Sequence, residues 1–270
     1  MITLAFLSLS LAVSAVTQTN TTETLVAALT RATSDPDPHV RAEAAKALAD
    51  FGAKSAVLQL IALLNDDNGF VRNAAVDSLE KLGDRSAAPA LVHELEMSVA
   101  SAGTTNFPGL LFDDRSKTLT DVAWLRRVEK QSRIIRGLGE LKDVRAVDAV
   151  MEHGLRSPDV GIRTSAAIAL GRIAATKACA AIERELQRYY DALPKDGSHE
   201  PVFSGALPGA MQEMRQKEAY FRAAAAWALG RIGSPTAVTV LRRAANDENS
   251  FVRETAAEAF DKIADPEKKH

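Results

Sequence analysis

Cysteine is almost missing from this chain. Cys179 is the single one in 270 residues, which excludes an intramolecular disulfide and a cysteine-rich zinc site. In "ACAAIERELQ" it reads as a small buried hydrophobe. Aromatics are scarce too, at 5% against 46% hydrophobic residues overall. The apolar content is therefore mostly Ala, Leu and Val, a mixture that suits helices packed through small side chains, because Ala and Leu lose little on entering a helix. Neither sign of charge is in excess: 33 basic residues face 35 acidic ones, for a net charge of −2. Wrapping DNA or RNA calls for a strong basic surplus to neutralise phosphates, so nucleic acid is not an expected partner. Charge is missing locally as well, from the first twenty residues, "MITLAFLSLSLAVSAVTQTN". Their apolar run, Ile2 to Val13, is too short for a stable membrane span but has signal-peptide length, and Val13-Ser14-Ala15 offers small residues for cleavage. The expectation is a signal peptide over 1–15, export to the periplasm or beyond, and a single folded body over 16–270; the alternative is a cytoplasmic chain whose first segment is an apolar helix capping the fold.

What the chain does contain is repetition, which points to an architectural unit before any chemistry. Six segments align without gaps: "VRAEAAKALADFGA" from 40, "VRNAAVDSLEKLGD" from 71, "KQSRIIRGLGELKD" from 130, "IRTSAAIALGRIAA" from 162, "FRAAAAWALGRIGS" from 221 and "VRETAAEAFDKIAD" from 252. With the first residue as position 0, apolar or small residues recur at positions 0, 4, 8 and 11, one narrow arc of a 3.6-residue helix. Asp37, Asn68, Asp159 and Asn249 stand three residues ahead of four of these segments, where their side chains can accept from free N–H groups at a helix start. Pro38 follows at a first helical position, where its missing N–H costs nothing. Another apolar helical stretch precedes each segment, such as "AVLQLIALLN" from 56. The unit is helix, turn, helix, and such a pair must stack on neighbours to cover its apolar face.

These residues, above all "DPDPHVRAEAAKALADFG" over 35–52 and the recurrent "ALGRIG" phrase, resemble HEAT-like repeats of the phycobilisome-lyase type over about 20–265. The resemblance implies an all-α fold: a right-handed α-solenoid of about six HEAT-like helix pairs. Position 1 is Arg in five copies, Arg41, Arg72, Arg163, Arg222 and Arg253, with Gln131 the exception. A row of anion-binding arginines is one reading. A residue present in every unit serves the unit, so the expected role is a structural ladder at the repeat junctions.

The spacings between position-0 residues are 31, 59, 32, 59 and 31. Two repeats are therefore lengthened between their helices, giving two loop insertions near 98–120 and 190–211. Both are rich in Gly, Pro, Ser and Asp, and they carry Phe107, Phe112 and Phe203 in a chain poor in rings. Insertions on one edge of a solenoid often bind partners; the alternative is that these rings only seal the loops onto the scaffold.

Chemistry is harder to find. HEAT-like deoxyhypusine hydroxylases, which the chain resembles in fold, hold iron through His-Glu pairs at equivalent repeat positions. Here His93-Glu94 and His199-Glu200 are not repeat equivalents, and no other histidine has ligand spacing, so no metal and no cofactor are expected. Bilin lyases, the other enzymatic relatives, act on chromophore–phycobiliprotein pairs, yet no residue here matches a catalytic motif. No nucleophilic triad and no Gly-rich phosphate loop is present. The sequence alone thus favours a non-catalytic protein-binding scaffold, with an enzyme or enzyme subunit related to bilin lyases or deoxyhypusine hydroxylase-like proteins as the alternative. Its partner would be another protein or peptide segment. The candidate contact residues lie at position 6, about 160° from the buried stripe: Ile168 and Trp227 form an apolar pair on adjacent helices, and position 10 adds Arg172 and Arg231 along the same face.

Overall fold

The structure, a computed structural model, describes residues 21–100, 119–192 and 208–264, so the expected signal peptide lies outside the described residues. Two compact units divide the chain, Met1–Ala87 and Ala88–His270. The first unit contains α1 (21–32), α2 (Pro38–Asp50), α3 (Val57–Ala62) and α4 (Gly69–Leu82). The second contains α5 (Ala88–Ala100), α6 (Leu119–Leu141), α7 (Val147–Ala149), α8 (Val160–Ile173), α9 (Cys179–Asp191), α10 (Pro208–Ile232), α11 (Val238–Ala244) and α12 (Ser250–Ala264). The short α7 continues as a wider π-type stretch, Val150–Leu155. No strand occurs among the described residues. Helices α3, α5, α9 and α11 each pair with the even-numbered helix that follows, the π-type stretch after α7 packs on α8, and the even-numbered helices stack directly: α2 on α4 in the first unit, then α6 on α8, α8 on α10 and α10 on α12 in the second. This is the expected all-α solenoid of HEAT-like helix pairs.

The expected stripe is the core. In α8 positions 0, 4, 8 and 11 are Ile162, Ala166, Leu170 and Ile173, all buried, and α4 does the same with Val71, Ala75, Leu79 and Leu82. Each fully buried Leu or Ile contributes about 1.5–3 kcal/mol over its exposed state. The predicted caps form: Asp37 accepts from the His39 N–H, Asn68 from Phe70, Asp159 from Ile162 and Asn249 from Phe251. Position 12 ends five of the inner helices in a left-handed residue. Gly52, Gly83 and Gly233 occupy it with φ of 63, 56 and 78°, and Lys142 and Ala174 adopt it without a glycine's freedom.

The insertions expected near 98–120 and 190–211 fall between α5, which runs to Ala100, and α6, which begins at Leu119, and between α9, which runs to Asp191, and α10, which begins at Pro208. Both inner helices that follow are long because they lack a stop signal. Arg127 and Glu218, not Asp or Asn, stand where the other inner helices have their caps, so α6 and α10 continue upstream to 23 and 25 residues.

The arginines at position 1 form a junction ladder. In Arg41, Arg72, Arg163 and Arg253, Nη1 donates to the two backbone carbonyls six and five residues earlier, in the turn that starts the same inner helix. Arg41 also forks onto Asp66 of the next turn, at 2.7 and 2.8 Å, and Arg163 reaches Glu218 at 2.8 Å. Arg222 differs. The residues five and six before it lie inside α10, where no turn offers carbonyls. It is fully buried, donates from Nε and Nη2 to Asp247 at 2.7 and 2.9 Å, and lies over the Tyr189 ring at 4.1 Å. Its Nη1 has no hydrogen-bond acceptor. Tyr190 donates to the same carboxylate at 2.7 Å. Burial alone would raise the Asp247 carboxyl, but the Arg222 guanidinium, the Asn249 N–H and the Tyr190 hydroxyl together hold it below its usual value. Burial pushes the Tyr189 hydroxyl up to about 12.

Candidate functional site

Small residues bring the inner helices of the second unit close. Gly139, Gly171 and Gly230 all stand at position 9, each against the position-7 alanine of the next inner helix. A Cβ on them would come within 2.7 Å of the Ala169 Cα, 2.9 Å of the Ala228 Cα and 2.7 Å of the Ala259 Cα. That approach leaves a shallow groove along the solvent side of α8, α10 and α12, with a volume of about 610 Å³. Its floor is small: Gly161 and Thr164 on α8, Ala223 and Ala224 on α10, Thr255 on α12. Its aromatic walls are Trp227, Tyr220 and Phe251, the last two meeting edge-on at 6.4 Å between centroids.

Ile168 and Trp227, the apolar pair read from the sequence, line this groove together with Arg172. They face outward less fully than the helical wheel implies, for both are half-buried. Trp227 lies across Gly171, where a methyl would stand 2.6 Å from the indole Cζ3. Arg231 is exposed one turn beyond Trp227, its guanidinium 5.9 Å from the ring centroid. Arg172 pairs with Glu140 on α6. Phe107, Phe112 and Phe203 lie outside the described residues. Sequence reasoning missed Tyr220 and Phe251, both more than half exposed. The signal was available, since both stand at position −1 and share the face of position 6.

The groove's polar groups split by helix. Arg172 lies on α8, Lys217 on α10, and Glu254 and Glu258 on α12. An occupant therefore meets cations on α8 and α10, aromatic faces on α10 and α12, and carboxylates on α12. Cysteine takes no part. Cys179 is half-buried on α9, outside the lining, and burial pushes its thiol up, away from the reactive thiolate. Among the described residues no group of three or more His, Cys, Asp or Glu could hold a metal ion. No described helix is long and apolar enough to cross a membrane.

Comparison with known proteins places this architecture. A phycocyanobilin lyase subunit alpha from Picosynechococcus sp. (strain ATCC 27264 / PCC 7002 / PR-6) is 48% identical over 63 residues, 23% of this chain and 24% of that protein. The match thus spans about a quarter of the relative's length. The complex of CpcE and CpcF of phycocyanin lyase from Nostoc sp. PCC7120 is 21% identical, with 88% of this chain and 82% of that chain covered and a TM-score of 0.41. Human deoxyhypusine hydroxylase is 19% identical, with 88% and 84% covered and a TM-score of 0.36. Likeness at this level is one of repeat architecture and extends no further. The lyase-subunit match corrects two expectations drawn from the sequence, that the chain is a non-catalytic scaffold and that it is no enzyme. It backs the alternative, an enzyme subunit related to bilin lyases. The misreading came from seeking a catalytic motif in a repeat protein, where every unit repeats the same structural residues. A model of HEAT repeats matches residues 12–101 and 207–269, more than half of the sequence, and the chain belongs to the HEAT-repeat family.

Proposed function

We propose that this chain is a subunit of a bilin-lyase-type enzyme, and that the groove across α8, α10 and α12 holds the chromophore. The observation that carries the reading is the 48% identity over 63 residues with phycocyanobilin lyase subunit alpha. The groove supports it physically. Its volume of about 610 Å³ falls in the range of about 300–1,000 Å³ typical of small-molecule sites. A flat conjugated ligand gains most from offset stacking on aromatic faces, and Trp227, Tyr220 and Phe251 supply them where the rest of the chain has few.

The same residues bound what the subunit would do. The groove holds no thiol to bond a chromophore, and Cys179, the one thiol, lies elsewhere with its pKa raised by burial. The groove would hold its ligand non-covalently and present it to the thiol of a second protein. The partner on this reading is an acceptor polypeptide. Orientation and exclusion of water are the contributions such a surface can make.

Titration of the full-length protein with phycocyanobilin, followed by the chromophore's visible absorption, tests the reading. Saturable binding is expected, weakened about 5- to 150-fold in Trp227→Ala, as for loss of a stacking face worth about 1–3 kcal/mol. Absence of binding to the wild-type chain would sink the proposal. So would a Trp227→Ala variant that binds normally but melts early, which would make the indole a core residue only.

A further inference from the structure

Position 10 of the inner helices is held by Glu140, Arg172, Arg231 and Lys262, of which Arg172 lines the groove and Arg231 stands one turn beyond the groove residue Trp227. Three of these four have ion-pair partners. Arg172 pairs with Glu140 on the preceding inner helix, and Lys262 stands 3.9 Å from Glu258 on its own. Arg231, between the two cations, has no carboxylate within ion-pair distance among the described residues. What it has instead is Trp227, with the guanidinium carbon 5.9 Å from the ring centroid, and Trp227 is a wall of the groove.

From this the structure assigns Arg231 as the specificity residue of the groove: it takes a carboxylate of the conjugated ligand that lies on Trp227. The assignment rests on the groove being the chromophore site. An arginine beside an aromatic ring keeps its planar fork oriented, so two parallel N–H donors are ready for a carboxylate. A ligand that is flat along most of its length and anionic at one point can use the indole face and the fork together. Arg172 cannot do the same while Glu140 occupies its guanidinium. The two arginines look equivalent in sequence, one repeat apart, and the single acidic residue at position 10 separates their roles. Glu254 and Glu258 on α12 repel the same carboxylate, so the charge pattern also fixes which way round the ligand lies.

Biliverdin and its dimethyl ester make the test, because they share the conjugated body and differ in carboxylate charge. Both are titrated into full-length wild type, Arg231→Gln and Glu140→Gln, with visible absorption as readout and thermal melting as the folding control. Arg231→Gln should weaken biliverdin by about 10- to 100-fold, the range of one charge-assisted contact, and leave the ester unchanged. Glu140→Gln should release Arg172 and tighten the free acid several-fold, again without changing the ester. Equal losses for acid and ester in Arg231→Gln, or no gain in Glu140→Gln, would overturn the assignment to Arg231 while leaving the groove as the site. Failure of the wild-type chain to bind either compound would overturn the site itself.

Discussion

Asp247→Asn is the substitution with the most to say about how the second unit is held together. Asp247 accepts from Arg222 Nε and Nη2 at 2.7 and 2.9 Å, from the Tyr190 hydroxyl at 2.7 Å and from the Asn249 N–H at 2.9 Å. Arg222 is 0% exposed and Asp247 5%. The neutral amide is nearly isosteric, so no cavity opens, but the charge that compensates Arg222 is gone and one amide N–H₂ now faces donors. Removing one partner of a buried pair costs about 3–5 kcal/mol. For a body of this size each kcal/mol lowers Tm by about 2–4 °C, so a fall of at least about 6 °C is expected. Asp66→Asn is the matched control. Its partner Arg41 forms the same fork, yet its side chain is 17% exposed and keeps two backbone carbonyls as acceptors. Water can reach that guanidinium, and a loss of about 1 kcal/mol or less is expected. Urea unfolding followed by circular dichroism measures both. Similar losses in the two variants would refute the argument that burial, and not the pair itself, sets the size of the effect.

Acid should destabilise the fold through these same carboxylates. Asp66, by its bond from Arg41, and Asp247, by its three donors acting against burial, both have folded values below the ordinary one. Their contribution is therefore complete above the unfolded value near about pH 4 and is lost as pH falls through the folded values. Urea midpoints should hold down to about pH 5 and drop below about pH 4, with a shallower drop in Asp247→Asn; a wild-type midpoint that rises in acid would contradict this. Gly171→Ala places a methyl 2.6 Å from the Trp227 ring and 2.9 Å from the Ala228 Cα. Overpacking should cost about 1–3 kcal/mol, with a shift in tryptophan emission as the indole is displaced, and unchanged emission and melting would mean that α8 and α10 are free to separate.

The inner helices were legible in the sequence because their information is local. The 0, 4, 8, 11 stripe needs only a period, and the Asp37, Asn68, Asp159 and Asn249 caps need only the next few N–H groups. The upstream extensions of α6 and α10 were not legible, since a helix that lacks a cap declares its start weakly and the insertion compositions masked it. Ile168 and Trp227 were found from the wheel, but their half-burial depends on Gly171 one helix away, a tertiary fact. The difference between Arg172 and Arg231 likewise hangs on Glu140 across a helix junction. Arg222 is the sharpest case. Aligned with four arginines that bond turn carbonyls, it was expected to behave as they do, and the missing turn buries it instead.

The junction ladder also says where this chain can grow. Arg41 reaches Asp66 and Arg222 reaches Asp247, each across the same 25 residues, a span that runs from one inner helix through the next outer helix to the turn beyond. Lengthening that span would pull the fork from its carboxylate, so residues added there carry a penalty in both copies that hold the fork. The rest of the connection to the inner helix, beyond the carboxylate, lies outside the span, and both extra-long connections fall after the outer helix in that part of the unit. Natural variants of different length should differ in those same connections, and foreign peptides grafted there should be tolerated where grafts inside the span are not.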